Sequence, residues 1–204
     1  MGRFMLVFLI ILGVFSQPNI MTILFFGDSL TAGYGLSENK AFPALIGENL
    51  IRTGLPFKTI NGGVSGETTR GGLKRVDWLL KAKPDVVFLA LGANDGLRGL
   101  DVLETRKNLE RIIARFQKED VSVVLAGMEI PVNYGARYRN SFRRIYPDLA
   151  KKFNVPLYPF LLRDVALVTD LNLSDGIHPN ERGHAIIARN VFNFIQPILN
   201  KMIH

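Results

Sequence analysis

The chemistry open to this chain rests on two histidines, one early serine and a few turn residues. Of the three His, His204 is the final residue, which leaves His178 and His184. His178 stands in Ser174-Asp175-Gly176-Ile177-His178-Pro179, with a carboxylate three residues upstream of the imidazole. A turn can fold such an aspartate onto its own histidine, fixing the ring tautomer through one nitrogen. The other nitrogen is then left to take a proton from a hydroxyl. Ser29 offers that hydroxyl, because the apolar run ending in Phe25-Phe26-Gly27-Asp28-Ser29 breaks at a glycine turn. Taken alone, each feature also has a plain reading. Asp175-Gly176 makes an ordinary loop turn, Pro179 a first helical residue, and Asp28 or Ser29 a helix cap.

Two further segments could complete an acyl-transfer site. Asn61-Gly62-Gly63-Val64-Ser65-Gly66-Glu67-Thr68 offers the Gly66 backbone N–H as a donor, while Ser65 lacks the G-x-S-x-G spacing of a nucleophile elbow. Leu91-Gly92-Ala93-Asn94-Asp95-Gly96 offers the Asn94 side-chain amide. A nucleophile, a base with its orienting acid, and donors for a tetrahedral oxyanion are the set that acyl transfer requires. A phosphate-cradling first loop is disfavoured by the acidic Asp28 and by the absence of a following Gly-Lys-Ser/Thr, so a flavodoxin-like binding module is the weaker reading. No metal site or cofactor is expected, since the chain has no Cys and no H-E-x-x-H, and its two inner histidines lie six residues apart.

These residues converge only if particular elements position them. Short β-branched or aromatic runs alternate with helix-period segments, which predicts an α/β fold of three layers around a doubly wound, five-stranded parallel sheet. The predicted strands are Ile20–Phe26, Phe57–Asn61, Val86–Leu91, Val121–Gly127 and Val155–Tyr158. Helical faces are marked by Phe42, Leu45, Ile46 and Leu50, by Leu73, Val76, Leu79 and Leu80, and by Leu109, Ile112, Ile113 and Phe116. A fourth helix is predicted to include Ser141–Phe153, and a last one to run from about Asn180 to Ile198, ending near Pro197. In such a fold the ligand site forms beyond the carboxyl ends of the strands. That edge gathers Ser29, Gly66, Asn94 and the Asp175/His178 pair.

In this order the four segments resemble the SGNH or GDSL hydrolase family, and Asn94-Asp95-Gly96-Leu97-Arg98-Gly99 with Ile130-Pro131-Val132-Asn133-Tyr134-Gly135 resembles within it most closely the bacterial thioesterase I, lysophospholipase L1 and arylesterase group. Gly27-Asp28-Ser29-Leu30 matches the first block, Gly66 the second, Gly92-Ala93-Asn94-Asp95 the third and Asp175-Gly176-Ile177-His178-Pro179 the last. The resemblance covers about Ile20 to the end. It departs at Gly63-Val64, in a slot the family often fills with Ala and another small or branched residue. It implies a serine esterase acting on acyl esters or thioesters, lysophospholipid among them, through an acyl-enzyme on Ser29. His178 would be the base and Asp175 its partner, with Ser29, Gly66 and Asn94 forming the oxyanion hole. Leu97, Pro131 and Tyr134 are expected to line the acyl-binding wall, and Gly96 and Gly99 to make the segment carrying Leu97 mobile. If those three side chains pack inward, short acetyl or carbohydrate esters are expected instead.

Composition sets the outer limits. The chain has 204 residues, 48% hydrophobic and 21% charged, which suits one domain over residues 17–204 and excludes disordered or collagen-like classes. The net charge of +7 does not predict a nucleic-acid partner, because no basic run stands out. The densest stretch, Arg137 to Lys152, reads as a solvated face. Met1–Ser16 has Arg3 followed by apolar residues Phe4 to Phe15, a run that as a helix would span only ~18 Å, too short for a stable transmembrane span. A secretory signal and a periplasmic or secreted monomer are expected. The alternatives are an uncleaved anchor or a start at Met21 with a cytoplasmic protein.

Overall fold

A computed structural model describes residues 19–203, so the leader expected at residues 1–16 lies outside the described residues. In chain order the elements are β1 (Met21–Gly27), α1 (Ser29–Ala32), α2 (Phe42–Arg52), β2 (Phe57–Gly63), α3 (Thr69–Leu80) and β3 (Val86–Ala90). There follow α4 (Ala93–Leu97), α5 (Val102–Gln117), β4 (Ser122–Ala126), α6 (Ala136–Phe153), β5 (Leu157–Tyr158) and α7 (Glu181–Asn200). All strand pairings are parallel, in the order β2-β1-β3-β4-β5. From β1 the chain winds to one side for β2 and to the other for β3. The crevice beyond the carboxyl end of β1 therefore lies where the winding reverses.

Alternation along β1 shows how the layers are held. Phe25 points to one face and meets Phe42 of α2 edge-on with ring centroids 5.5 Å apart, whereas Phe26 points to the other and meets Phe116 of α5 at 6.0 Å. Both rings are fully buried, and each such burial contributes roughly 2–3 kcal/mol. Every residue of β3 is buried, as expected of a parallel strand covered on both faces. Helices α2 and α7 pack together on one side, and α3, α5 and α6 on the other.

The boundaries differ from the pattern-based expectation in instructive places. Helix α7 continues through Pro197 to Asn200, because the proline sits on the exposed face while buried Ile195 and Leu199 hold the last turn on the core. Helix α6 begins at Ala136, ahead of the expected Ser141, and likewise carries an exposed Pro147. Strand β2 extends past Asn61 to Gly63, and β5 is reduced to two residues. The one-turn helices α1 and α4 were not predicted; both are too short to display a helical period.

Candidate active site

At the end of β1 the chain must turn sharply, and Gly27 permits it. A Cβ there would lie 1.9 Å from Thr31 Oγ1 and 2.8 Å from the Ala90 carbonyl oxygen. Asp28 caps α1 by accepting the Leu30 N–H at 3.0 Å, so Ser29 becomes the first residue of that helix. The Asp28 carboxyl is almost wholly buried, and burial pushes it up to about 7 against the lowering effect of the Leu30 N–H.

The loop before α7 supplies the partner. Asp175 Oδ1 accepts the backbone N–H groups of Ile177 at 2.9 Å and His178 at 3.0 Å, so one carboxylate oxygen sets the turn. Its other oxygen lies 2.7 Å from His178 Nδ1, and His178 Nε2 lies 2.9 Å from Ser29 Oγ. The His178 and Ile177 N–H groups, followed by the imidazole, hold the Asp175 carboxyl down to about 2. With Nδ1 protonated toward Asp175, Nε2 is left as the acceptor for the Ser29 hydroxyl. Tyr34 leans on the His178 ring with centroids 4.5 Å apart. The other inner histidine is structural: buried His184 accepts the Phe42 N–H through Nδ1 at 3.1 Å, capping the start of α2.

The donor side is assembled from three elements. Gly66 has φ +77°, a conformation that favours glycine. Among the described residues, neither its backbone N–H nor that of Ser29 donates to another protein group. Asn94 Nδ2 donates to the Glu67 carbonyl at 3.0 Å and stands 3.4 Å from Asp28 Oδ2. The amide thus lies between the residue after Gly66 and the residue before Ser29. Its neighbour Asp95 is buried and anchors α4, accepting the Thr69 N–H at 2.8 Å and the Thr69 hydroxyl at 2.6 Å.

The segment expected to line an acyl wall is more tightly held than its glycines suggested. Gly96 is buried inside α4, where a Cβ would lie 2.4 Å from Ile130, so close packing rather than hinging accounts for it. Half-buried Tyr134 donates to the Leu97 carbonyl at 2.6 Å, Tyr138 to Leu100 at 2.7 Å, and Arg98 to Gly66 at 2.8 Å. Pro131 is exposed and begins the 3-10 turn Val132–Tyr134. Beside this segment runs an open groove of about 550 Å³ bordered by Leu100, Val102, Tyr134 and Tyr138. Of the three expected wall residues, Tyr134 alone borders the groove; Leu97 is tied to it through its carbonyl, and exposed Pro131 is not part of the lining.

The hydroxyl–imidazole–carboxylate relay, at the strand edge where the fold places ligand sites, accompanies a matching family model. The model of the GDSL-like lipase/acylhydrolase family matches residues 25–186. The chain belongs to that family. It is 39% identical over 180 residues to the thioesterase 1/protease 1/lysophospholipase L1 of Escherichia coli K12, covering 88% of this chain and 85% of that protein. It is also 39% identical over 170 residues to an arylesterase of Vibrio mimicus, covering 83% of this chain and 85% of that protein. Among solved structures, the psychrotrophic esterase EstA from Pseudoalteromonas sp., inhibited by monoethylphosphonate, superposes with a TM-score of 0.84 at 34% identity. That match covers 88% of this chain and 98% of EstA.

The sequence pattern gives little signal for several groups at the site: Tyr34 on the imidazole, Asp28 beneath Ser29, and Glu67 paired with Arg75. Asp28 alone had a clue, as a capping residue in the glycine turn. The others meet through tertiary packing between residues without a shared local motif.

Proposed function

We propose that this GDSL-family ester hydrolase cleaves acyl esters or thioesters through a covalent acyl-enzyme on Ser29. The observation that carries this reading is the relay of 2.9 Å from Ser29 Oγ to His178 Nε2 and 2.7 Å from His178 Nδ1 to Asp175. Ser29 Oγ attacks the substrate carbonyl as its proton passes to His178 Nε2, and the ionised Asp175 stabilises the resulting imidazolium. The Ser29 and Gly66 N–H groups receive the oxyanion, joined by Asn94 once its amide turns from Glu67. Loss of one such donor typically costs ~10²–10³ in turnover. As the bond to the leaving group breaks, His178 returns the proton to the departing alcohol or thiol. Water then repeats the sequence, freeing the acid and regenerating Ser29.

Medium or long acyl groups, lysophospholipid included, are the proposed substrates. The apolar side chains of Leu100, Val102 and Ala136 along the 550 Å³ groove, whose border also carries Asp101 and Arg137, and its tie to Leu97 through Tyr134 support this choice. The leader-like residues 1–16 support export to the periplasm or beyond, and we propose that the protein acts as a monomer. Two measurements test the reading. A fluorophosphonate probe is expected to label the wild type and not Ser29→Ala; absence of an adduct on Ser29 sinks the nucleophile assignment. Hydrolysis of p-nitrophenyl esters from acetate to palmitate is expected to peak beyond acetate, and a flat or acetate-peaked profile removes the groove from the account.

A further inference from the structure

Arg75 lies on the second turn of α3, and its guanidinium reaches under the loop that follows β2. Its Nε is 2.8 Å from both carboxylate oxygens of Glu67, and its Nη2 bonds the same carboxylate. Nη2 also donates to the Gly62 carbonyl at 2.7 Å and to the Gly27 carbonyl at 3.3 Å. The guanidinium carbon sits 4.6 Å from the Phe26 ring centroid. Both charged side chains are largely buried, at 17% and 8% exposure, so the ion pair is poorly served by solvent. One planar cation therefore joins the last residue of β1, the penultimate residue of β2 and the loop beyond it.

Two of the three attachment points lie close in the chain to groups of the proposed oxyanion hole. Gly27 is two residues before Ser29. Glu67 follows Gly66, and its carbonyl is the acceptor that holds the Asn94 amide at 3.0 Å. We propose that Arg75 and Glu67 form a clamp that positions the Ser29, Gly66 and Asn94 donors for the transition state. The clamp rests on the ester-hydrolase reading, acts at a distance from substrate, and gives Arg75 a positioning role. A lysine cannot replace it, because a single ammonium cannot face a carboxylate and two strand-end carbonyls in the fork geometry of a guanidinium.

The test compares wild type, Arg75→Met, Arg75→Lys and Glu67→Gln on one soluble p-nitrophenyl ester, below each variant's melting temperature. Backbone hydrogen exchange over residues 62–68 is followed in parallel. In Arg75→Met, kcat is expected to fall on the order of 10²-fold, the effect of a misplaced oxyanion donor, while KM stays within about threefold. Exchange over 62–68 is expected to rise. Arg75→Lys should behave like Arg75→Met, and Glu67→Gln, which keeps only a neutral acceptor for Nε, should lower kcat by an intermediate amount, on the order of tenfold, with KM unchanged. Wild-type kcat in folded Arg75→Met, or full recovery in Arg75→Lys, overturns the clamp. Should Arg75→Met fail to fold, Arg75→Lys decides alone: a lowered kcat with unchanged KM upholds the clamp and an unchanged kcat overturns it. If the wild type itself hydrolyses no ester, the enzymatic reading falls instead, and the exchange comparison decides whether the clamp orders the loop.

Discussion

At the scale of single residues, Asp175 performs two tasks with separate oxygens. Oδ1 shapes the turn through two backbone N–H groups, and Oδ2 faces the imidazole. Asp175→Asn separates these tasks, because an amide keeps an acceptor for the turn. Its NH₂ group facing Nδ1 draws the proton off that nitrogen and presents Nε2–H, rather than a lone pair, to Ser29. Turnover is expected to fall by roughly 10³–10⁴-fold with the fold intact, measured as kcat beside a circular-dichroism melt. A loss below tenfold would show that the carboxylate does not set the tautomer. Ser29, Asp175 and His178 were legible in the sequence because a three-residue spacing and a glycine turn encode local geometry. Arg75 and Glu67 were not, since charges eight residues apart straddling a helix start resemble any solvated pair until β1 and β2 close around them.

At the scale of elements, the nucleophile depends on how tightly α1 folds back over the end of β1. Replacing Gly27 by Ala drives a methyl group into Thr31 Oγ1 at 1.9 Å and toward the Ala90 carbonyl at 2.8 Å. Backbone cannot yield as a flexible side chain can. Gly27→Ala is therefore expected to cost about 1–3 kcal/mol of stability, read from a denaturant melt, and to depress Ser29 labelling even in the folded fraction. Labelling at the wild-type rate would show that α1 can shift without moving Ser29. Strands β1 to β4 and the five longer helices are predictable because their apolar runs are long enough to read, whereas β5 keeps its place in the sheet with only two residues. Helices α1 and α4 escaped, being single turns fixed by the Asp28 cap and the Asp95 anchor rather than by periodicity. The two glycines expected to make the Leu97 segment mobile differ for a related reason: Gly96 is needed for packing against Ile130, while Gly99 stands at φ +62° with open space around it, and the two look alike until the structure is seen.

For the whole molecule, two buried groups give stability opposing dependences on pH. Burial lowers His184 from 6.5 to about 4, so between these values the unfolded chain holds the extra proton and stability rises with pH. Asp28 is raised from 3.8 to about 7, so across that window the folded chain holds the extra proton and stability falls as pH rises. Each slope approaches roughly 1.4 kcal/mol per pH unit, and between about pH 4 and 6.5 the two largely cancel. Denaturant melts across that range are expected to show a nearly level contribution from this pair in the wild type. His184→Gln should tilt the curve downward with rising pH and Asp28→Asn should tilt it upward. Parallel curves for all three proteins would mean that neither burial perturbs its group.

The parallel sheet also fixes where the ends of the described chain lie. Strand β1 enters at the edge opposite Ser29, and α7, leaving the His178 loop, runs back over twenty residues, ~30 Å, toward that same far edge. Coupling to a solid support at the far end of α7 would therefore leave the seryl cleft facing the passing liquid, with the body of the molecule as its own spacer.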